Sequence, residues 1–258
     1  MMLDGKVVVV SGVGPSLGRS IALRSAAAGA DVVLAARTED FLQEVAKDVA
    51  AVGQQALVVS TDITDAESSA ALVDSALDAF GHVDVLVNNA FAIPSMKDLA
   101  HTDESVIRRG LELSLFGTLR LSQLFTPALV ESTGSIVMIN SAVIRHSQPK
   151  YGSYKIAKAS LLAMSQTLAS ELGPQGVRVN TIAPGYIWGS TLQGYFAHMA
   201  QKYGTTTEQI YEQTASTTDL RRLPEPDEIA DAVVFLGSPL ARAITGQCLD
   251  VNCGEYHH

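Results

Sequence analysis

The sequence predicts a doubly wound α/β fold, a parallel sheet of about seven strands with helices on both faces. Two observations predict it. Short, near-continuous runs of Val, Ile and Leu recur along the chain, as in KVVVVS and SIVMIN, and strands buried on both faces read this way. Segments with helical periodicity separate those runs almost from end to end. Strand–helix alternation of this kind means a parallel sheet covered on both sides.

Taken in order, residues 6–11 form the first strand, because a β-branched run suits the pleated, buried environment. Residues 17–30 read as a helix. The second strand is Asp31–Ala36, followed by a helix through about Ala51, and the third strand is Ala56–Ser60. Residues 65–80 read as a helix, with Gly81 placed to stop it. The fourth strand is 83–88. A long helical region, about 105–131, is interrupted by Gly117 and Pro127. The fifth strand is 135–140, and a helix over 153–172 is closed by Gly173-Pro174. Residues 177–182 form the sixth strand and Cys248–Val251 the seventh. Only about 185–222 departs from this rhythm. It is rich in Gly, Thr, Gln and Tyr, and long enough to be a substrate lid. No linker, repeat or low-complexity segment divides the chain, so residues 1–258 are expected to form one domain.

With 47% hydrophobic and 17% charged residues, the chain can build a sizeable core. It has no run of about 20 uninterrupted apolar residues, so no membrane span is expected. The start, MMLDGKVVVVSGVG, enters a strand directly, without the basic region, apolar run and cleavage site of a secretion signal. A cytoplasmic location is expected. A formal net charge of −9 and the lack of a basic stripe argue against a nucleic-acid partner. Cys248 and Cys253 read as free thiols rather than a disulfide. The histidines lack metal-ligand spacing, so no metal site is expected.

After the first strand comes SGVGPSLGRS, with Gly12, Gly14 and Gly18 in a turn that opens a helix. Backbone N–H groups in such a turn can approach a pyrophosphate at the helix's positive end, which suits a dinucleotide. The spacing is one residue longer than G-x-G-x-x-G. The second strand ends in Ala36-Arg37-Thr38, where an acidic residue would read the ribose hydroxyls of NAD. A small residue and a cation suit a 2′-phosphate instead, so NADP is preferred and NAD remains possible. Arg19 stands close enough in sequence to help.

Tyr154 and Lys158 lie at i and i+4, on one face of a helix. A free tyrosine, with a pKa of about 10, is a poor base at neutral pH, and lowering it by about three units requires roughly 4 kcal/mol. One ammonium at about 4 Å, with an effective dielectric near 20, supplies a comparable amount. Ser141 sits just past the carboxyl end of the fifth strand, the edge where ligands of open parallel sheets bind. Ser141, Tyr154 and Lys158 are therefore expected to converge beside the cofactor.

On these residues the chain resembles the short-chain dehydrogenase/reductases of the compact, single-domain, Rossmann-like kind, and the resemblance spans nearly the whole sequence. It implies an oxidoreductase that moves a hydride between a nicotinamide cofactor and a small-molecule alcohol or carbonyl compound. The family's glycine-rich motif falls on 11–18, which adds Ser16 and Leu17 to the cofactor contacts. Its adenine-side acid falls on Asp62, followed by Ile63. Its Asn-Asn-Ala-Gly segment falls on Asn88-Asn89-Ala90-Phe91, and its Pro-Gly turn on Pro184-Gly185, with Ile187 against the carboxamide. The catalytic serine, tyrosine and lysine fall on Ser141, Tyr154 and Lys158, and Lys158 also holds the cofactor ribose. A homo-oligomer, a tetramer by analogy, is implied as well.

Four positions depart from the family pattern. Ser16 replaces a glycine, and Phe91 replaces the last glycine of its segment. Ser114 occupies the place of the catalytic asparagine, and Gly189 stands where a threonine often binds the carboxamide. Ile144, His146, Tyr151, Tyr186, Trp188, Tyr195 and Phe196 lie in segments expected near the site. They suggest an apolar, aromatic pocket for a hydrophobic or cyclic substrate. Two other readings stay open: a non-catalytic dinucleotide-binding sensor or scaffold, and a lyase or epimerase that uses bound cofactor transiently.

Overall fold

In a computed structural model, which describes residues 1–93 and 95–257, seven strands form one parallel sheet in the order β3-β2-β1-β4-β5-β6-β7. The strands are β1 (Val7–Ser11), β2 (Asp31–Ala36), β3 (Ala56–Ser60), β4 (Val85–Asn88), β5 (Ser135–Ile139), β6 (Arg178–Pro184) and β7 (Cys248–Val251). The helices are α1 (Leu17–Ala27), α2 (Glu39–Ala51), α3 (Ala66–Phe80), α4 (Glu104–Leu111), α5 (Thr118–Glu131), α6 (Gly152–Leu172), α7 (Ser190–Tyr203), α8 (Thr207–Ala215) and α9 (Pro226–Gly237). The expected fold class is the observed one.

Alternation along each strand builds two cores. Val8 and Val10 of β1 face α1, α2 and α9, through Ile21, Leu42, Val45, Ile229 and Val233. Val7 and Val9 face α3, α5 and α6, through Leu72, Leu121, Phe125, Leu161 and Leu168. Each fully buried valine contributes roughly 1.5–3 kcal/mol relative to an exposed one, so the VVVV run anchors both layers.

Most boundaries fall within two residues of expectation; three departures have physical causes. Helix α1 ends at Ala27 rather than Ala30, because Gly29 adopts φ 102°, which leads the chain out of the helix. Pro127 does not interrupt α5, although an interior proline costs about 3 kcal/mol. Buried Leu121, Phe125, Ala128 and Leu129 hold the helix on both sides of it. The break near Gly117 is a π-helical segment, Glu112–Gly117, between α4 and α5. Its wider turn lets Gly117 approach Ile63, whose carbonyl oxygen would stand 2.8 Å from a β-carbon there.

The 185–222 region is also more regular than its composition suggests, since it holds α7 and α8. Thr206 and Gln209 form a reciprocal capping box at the start of α8. Both cysteines are free and half-buried. Among the described residues no helix is long and apolar enough to cross a membrane, and no His/Cys/Asp/Glu cluster could hold a metal ion.

Candidate active site

The strand register decides what meets at the carboxyl edge. Ser11 of β1 pairs with both Ala35 and Asn88, so three strands end nearly level. The order reverses direction between β1 and β4, and a crevice opens at such a switch point.

Gly12 follows at φ 92°, with its N–H donating to the Ala35 carbonyl at 2.8 Å. A β-carbon on Gly12 would stand 2.5 Å from the Ala90 backbone, and one on Gly18 would stand 2.5 Å from the Gly12 carbonyl. Close backbone packing therefore requires both glycines. Asn89 donates from Nδ2 to the Gly12 carbonyl at 2.6 Å, so its side chain braces the loop. Above Gly14 the space is open. Ser16, the N-cap of α1, makes no capping bond, and the first turn holds no acid. An uncapped positive helix end behind an open glycine fits a cofactor pyrophosphate.

Two departures from the family pattern turn out to be neighbours. A β-carbon on buried Gly189 would overlap Ser16 Oγ. The side chain gained at 16 takes the room that a side chain at 189 would need.

On the adenosine side, Arg37 is exposed immediately after β2. The Asp62 carboxylate accepts from the Thr64 hydroxyl at 2.7 Å and from the Thr64 N–H at 2.9 Å, and these bonds hold it below its usual range. The Arg37 charge adds to them. Arg19 pairs with Asp48 at 2.8 Å, both side chains half-exposed. Ile63 is buried, and its carbonyl accepts from Arg120 Nη1 at 2.7 Å.

Ser141 caps a single 3₁₀ turn, Ala142–Ile144, with its Oγ accepting from the Val143 N–H at 3.3 Å. The same hydroxyl hydrogen-bonds Tyr154. Lys158 is fully buried, and its Nζ donates to the Ile139 carbonyl at 2.8 Å. That ammonium lies 5.9 Å from the Tyr154 ring centroid and 5.5 Å from that of Phe91. The structure thus brings Ser141, Tyr154 and Lys158 together and adds the Phe91 ring over the amine. That ring is the crowding that a side chain in place of the family's glycine brings.

The electrostatic expectation for this trio is corrected. Burial pushes the Tyr154 hydroxyl up to about 12, against the smaller downward pull of the Ser141 hydrogen bond. Burial likewise pushes Lys158 down to about 7. Desolvation disfavours both charged forms, and in the chain alone it outweighs the attraction expected between them.

Asn140 went unpredicted. It is buried, donates from Nδ2 to the Lys158 carbonyl at 3.0 Å and accepts from the Ser141 N–H at 2.9 Å. It ties β5 to α6 and fixes the spacing of serine and lysine. The visible signal was a polar residue closing an otherwise apolar strand.

Among the described residues, three buried side-chain oxygens have no partner: Ser11 Oγ, Asn88 Oδ1 and Ser114 Oγ. Ser11 and Asn88 end β1 and β4, and Ser114 lies in the π-helical segment. Buried polar atoms of this kind call for water or a ligand.

Pro184 is buried at the end of β6, and Ile187 packs against the core. Trp188 and Phe196 pack together within the 185–222 region: their ring centroids lie 5.7 Å apart, and Trp188 stands 4.6 Å from Tyr211. Tyr151 and Tyr186 bring their hydroxyls within 3.3 Å of each other. His146 stacks on Tyr256 at 4.6 Å. Glu255, which the sequence reading passed over, lies against Gly185, where a β-carbon would overlap its Oε2.

The same architecture occurs in known proteins. A family model described as enoyl-(acyl carrier protein) reductase matches residues 12–256. The chain is 34% identical over 256 residues to 7alpha-hydroxysteroid dehydrogenase of Escherichia coli (strain K12), covering 98% of this chain and 95% of that one. A solved structure of 7 alpha-hydroxysteroid dehydrogenase with NADH and 7-oxo glycochenodeoxycholic acid superposes with a TM-score of 0.89 at 34% identity, covering 98% of this chain and 94% of that one. L-Sorbose reductase from Gluconobacter frateurii, complexed with NADPH and L-sorbose, gives a TM-score of 0.93 at 29% identity, covering 99% and 98%. Strand order, glycine-loop packing and these matches along nearly the whole length agree: the chain belongs to the short-chain dehydrogenase/reductase family.

Proposed function

We propose that this protein, as one domain with a lid over about 185–222, interconverts an alcohol and a ketone using a nicotinamide dinucleotide, with NADP preferred. The observation that carries the reading is the meeting of Ser141, Tyr154 and Lys158 at the sheet edge, beside the uncapped end of α1. Relatives are named for steroid and sugar substrates, and their complexes hold NADH or NADPH. The chain's own residues have to decide both questions.

Gly12, Gly14, Ser16, Leu17 and Gly18 would hold the pyrophosphate, and Arg37 a 2′-phosphate. Asp62 and Ile63 would flank the adenine. Asn89, Ala90, Phe91, Tyr154 and Lys158 would meet the nicotinamide ribose, and Pro184, Gly185 and Ile187 the nicotinamide. When bound, the reduced cofactor supplies a hydride to the carbonyl carbon.

In the reductive direction, Ser141 donates a hydrogen bond to the carbonyl oxygen and Tyr154 gives it a proton. A phenol held protonated suits that role. Lys158, pushed down to about 7, changes protonation near neutral pH and returns a proton to Tyr154. Ser114, with its unpartnered buried hydroxyl, positions a water on this route. Oxidation is the reverse.

The test is Tyr154→Phe, assayed by absorbance of the reduced nicotinamide with a panel of cyclic ketones. Cofactor affinity is expected to persist while turnover falls by about 10²–10⁴, the usual contribution of a positioned proton donor. Near-normal turnover in that variant would end the mechanism.

A further inference from the structure

Glu255 sits oddly for a wall of aromatic residues. Its carboxylate lies directly over Gly185, the residue that leads β6 into the lid, with the Asn252 side chain beside it. It is half-buried. Among the described residues no Lys, Arg or His nitrogen pairs with it. Arg145, which follows the Ser141 turn, is committed to Asp250 through contacts of 3.0–3.1 Å. Among the described residues the donor to the Glu255 carboxylate is the Tyr186 N–H, whereas two carboxylate oxygens offer about four lone-pair sites.

Its surroundings lead to the catalytic hydroxyl. The Glu255 charge bears on the phenols of Tyr186 and Tyr256, and burial together with that charge pushes both upward. Tyr186 meets Tyr151 hydroxyl to hydroxyl, and Tyr151 stands at the N-cap of α6, one turn before Tyr154. A half-buried carboxylate without a cation is costly, and a fold keeps such a conflict where a ligand resolves it.

We propose that Glu255, with the Tyr151 and Tyr186 hydroxyls, forms a polar subsite that binds a second hydrogen-bond donor on the substrate, a hydroxyl or a protonated amine. The inference rests on the oxidoreductase reading above and narrows its substrate class. The substrate is a cyclic or hydrophobic ketone or alcohol that also carries a donor group remote from the reacting carbon. A plain hydrocarbon ketone leaves the carboxylate unsatisfied.

The experiment compares cyclohexanone, 4-hydroxycyclohexanone and 4-aminocyclohexanone at pH 7, with wild type and Glu255→Gln. Binding is measured by ligand-observed NMR titration, and turnover separately by nicotinamide absorbance. Wild type is expected to bind the amino ketone about tenfold or more tighter than cyclohexanone, with the hydroxy ketone between them. In Glu255→Gln the plain-to-amino ratio of Kd values is expected to fall at least about fivefold. Using a ratio separates recognition from any general loosening of the tail, and circular dichroism confirms folding. Equal Kd values in wild type, no detectable binding of the amino ketone, or a ratio unmoved by Glu255→Gln overturns the subsite. The expected binding pattern without turnover of any ketone keeps the subsite and overturns the oxidoreductase reading instead.

Discussion

Replacing Lys158 with methionine should make the protein more stable below about pH 8 while abolishing turnover. The lysine is fully buried, and burial alone lowers it from 10.5 to about 7. Because the folded-state value is depressed, the unfolded chain binds more protons between pH 7 and 10.5, and stability rises with pH across that window. Below pH 7 the penalty is present in full and stays flat. At pH 7 it amounts to about 4 kcal/mol, at about 1.36 kcal/mol per unit. Methionine fills similar volume without the charge but forfeits the hydrogen bond to the Ile139 carbonyl, worth about 1.5–3 kcal/mol to a charged donor. The net expectation at pH 7 is a gain of about 1–3 kcal/mol, or about 2–8 °C in Tm for a chain of this size. Urea denaturation of both proteins at pH 6.5 and 9.5 is the assay. Tyr154 shifts upward, so its own contribution falls away only between about pH 10 and 12, clear of both measurements. Wild type should gain about 3 kcal/mol more than Lys158→Met between the two pH values. Parallel behaviour of the two proteins would falsify the claim that an uncompensated lysine is buried here.

Two further outcomes follow from the cofactor side of the crevice. Arg37→Ala should weaken NADP(H) by about tenfold or more, with little change for NAD(H), since one charge-assisted contact of about 1.5–3 kcal/mol is lost. Isothermal titration with both cofactors checks this, and an unchanged NADP(H) affinity removes Arg37 from the phosphate site. Gly12→Ala should cost about 1–3 kcal/mol and cofactor affinity together, because φ is 92° and the new β-carbon would stand 2.5 Å from Ala90. Thermal unfolding and a titration read both effects, and a variant that keeps both refutes the close-packing argument.

Much of this protein was legible from sequence because the information is local and periodic. Valine runs define strands buried on both faces, alternation with helices defines a parallel sheet, and Tyr154 and Lys158 share a helix face by spacing alone. Ser141 was placed by its position after β5. Other features were decided only when distant segments met. Desolvation reversed the expected shift of Tyr154, because burial is a property of the whole fold and no i, i+4 rule contains it. Ser16 and Gly189, 173 positions apart, proved to compete for one volume. Asn140 became a tie between β5 and α6, and Glu255 came to rest on the turn after β6. Sequence fixes which groups a chain carries and their spacing along one element. Packing fixes which of them lose water, and that loss sets their chemistry.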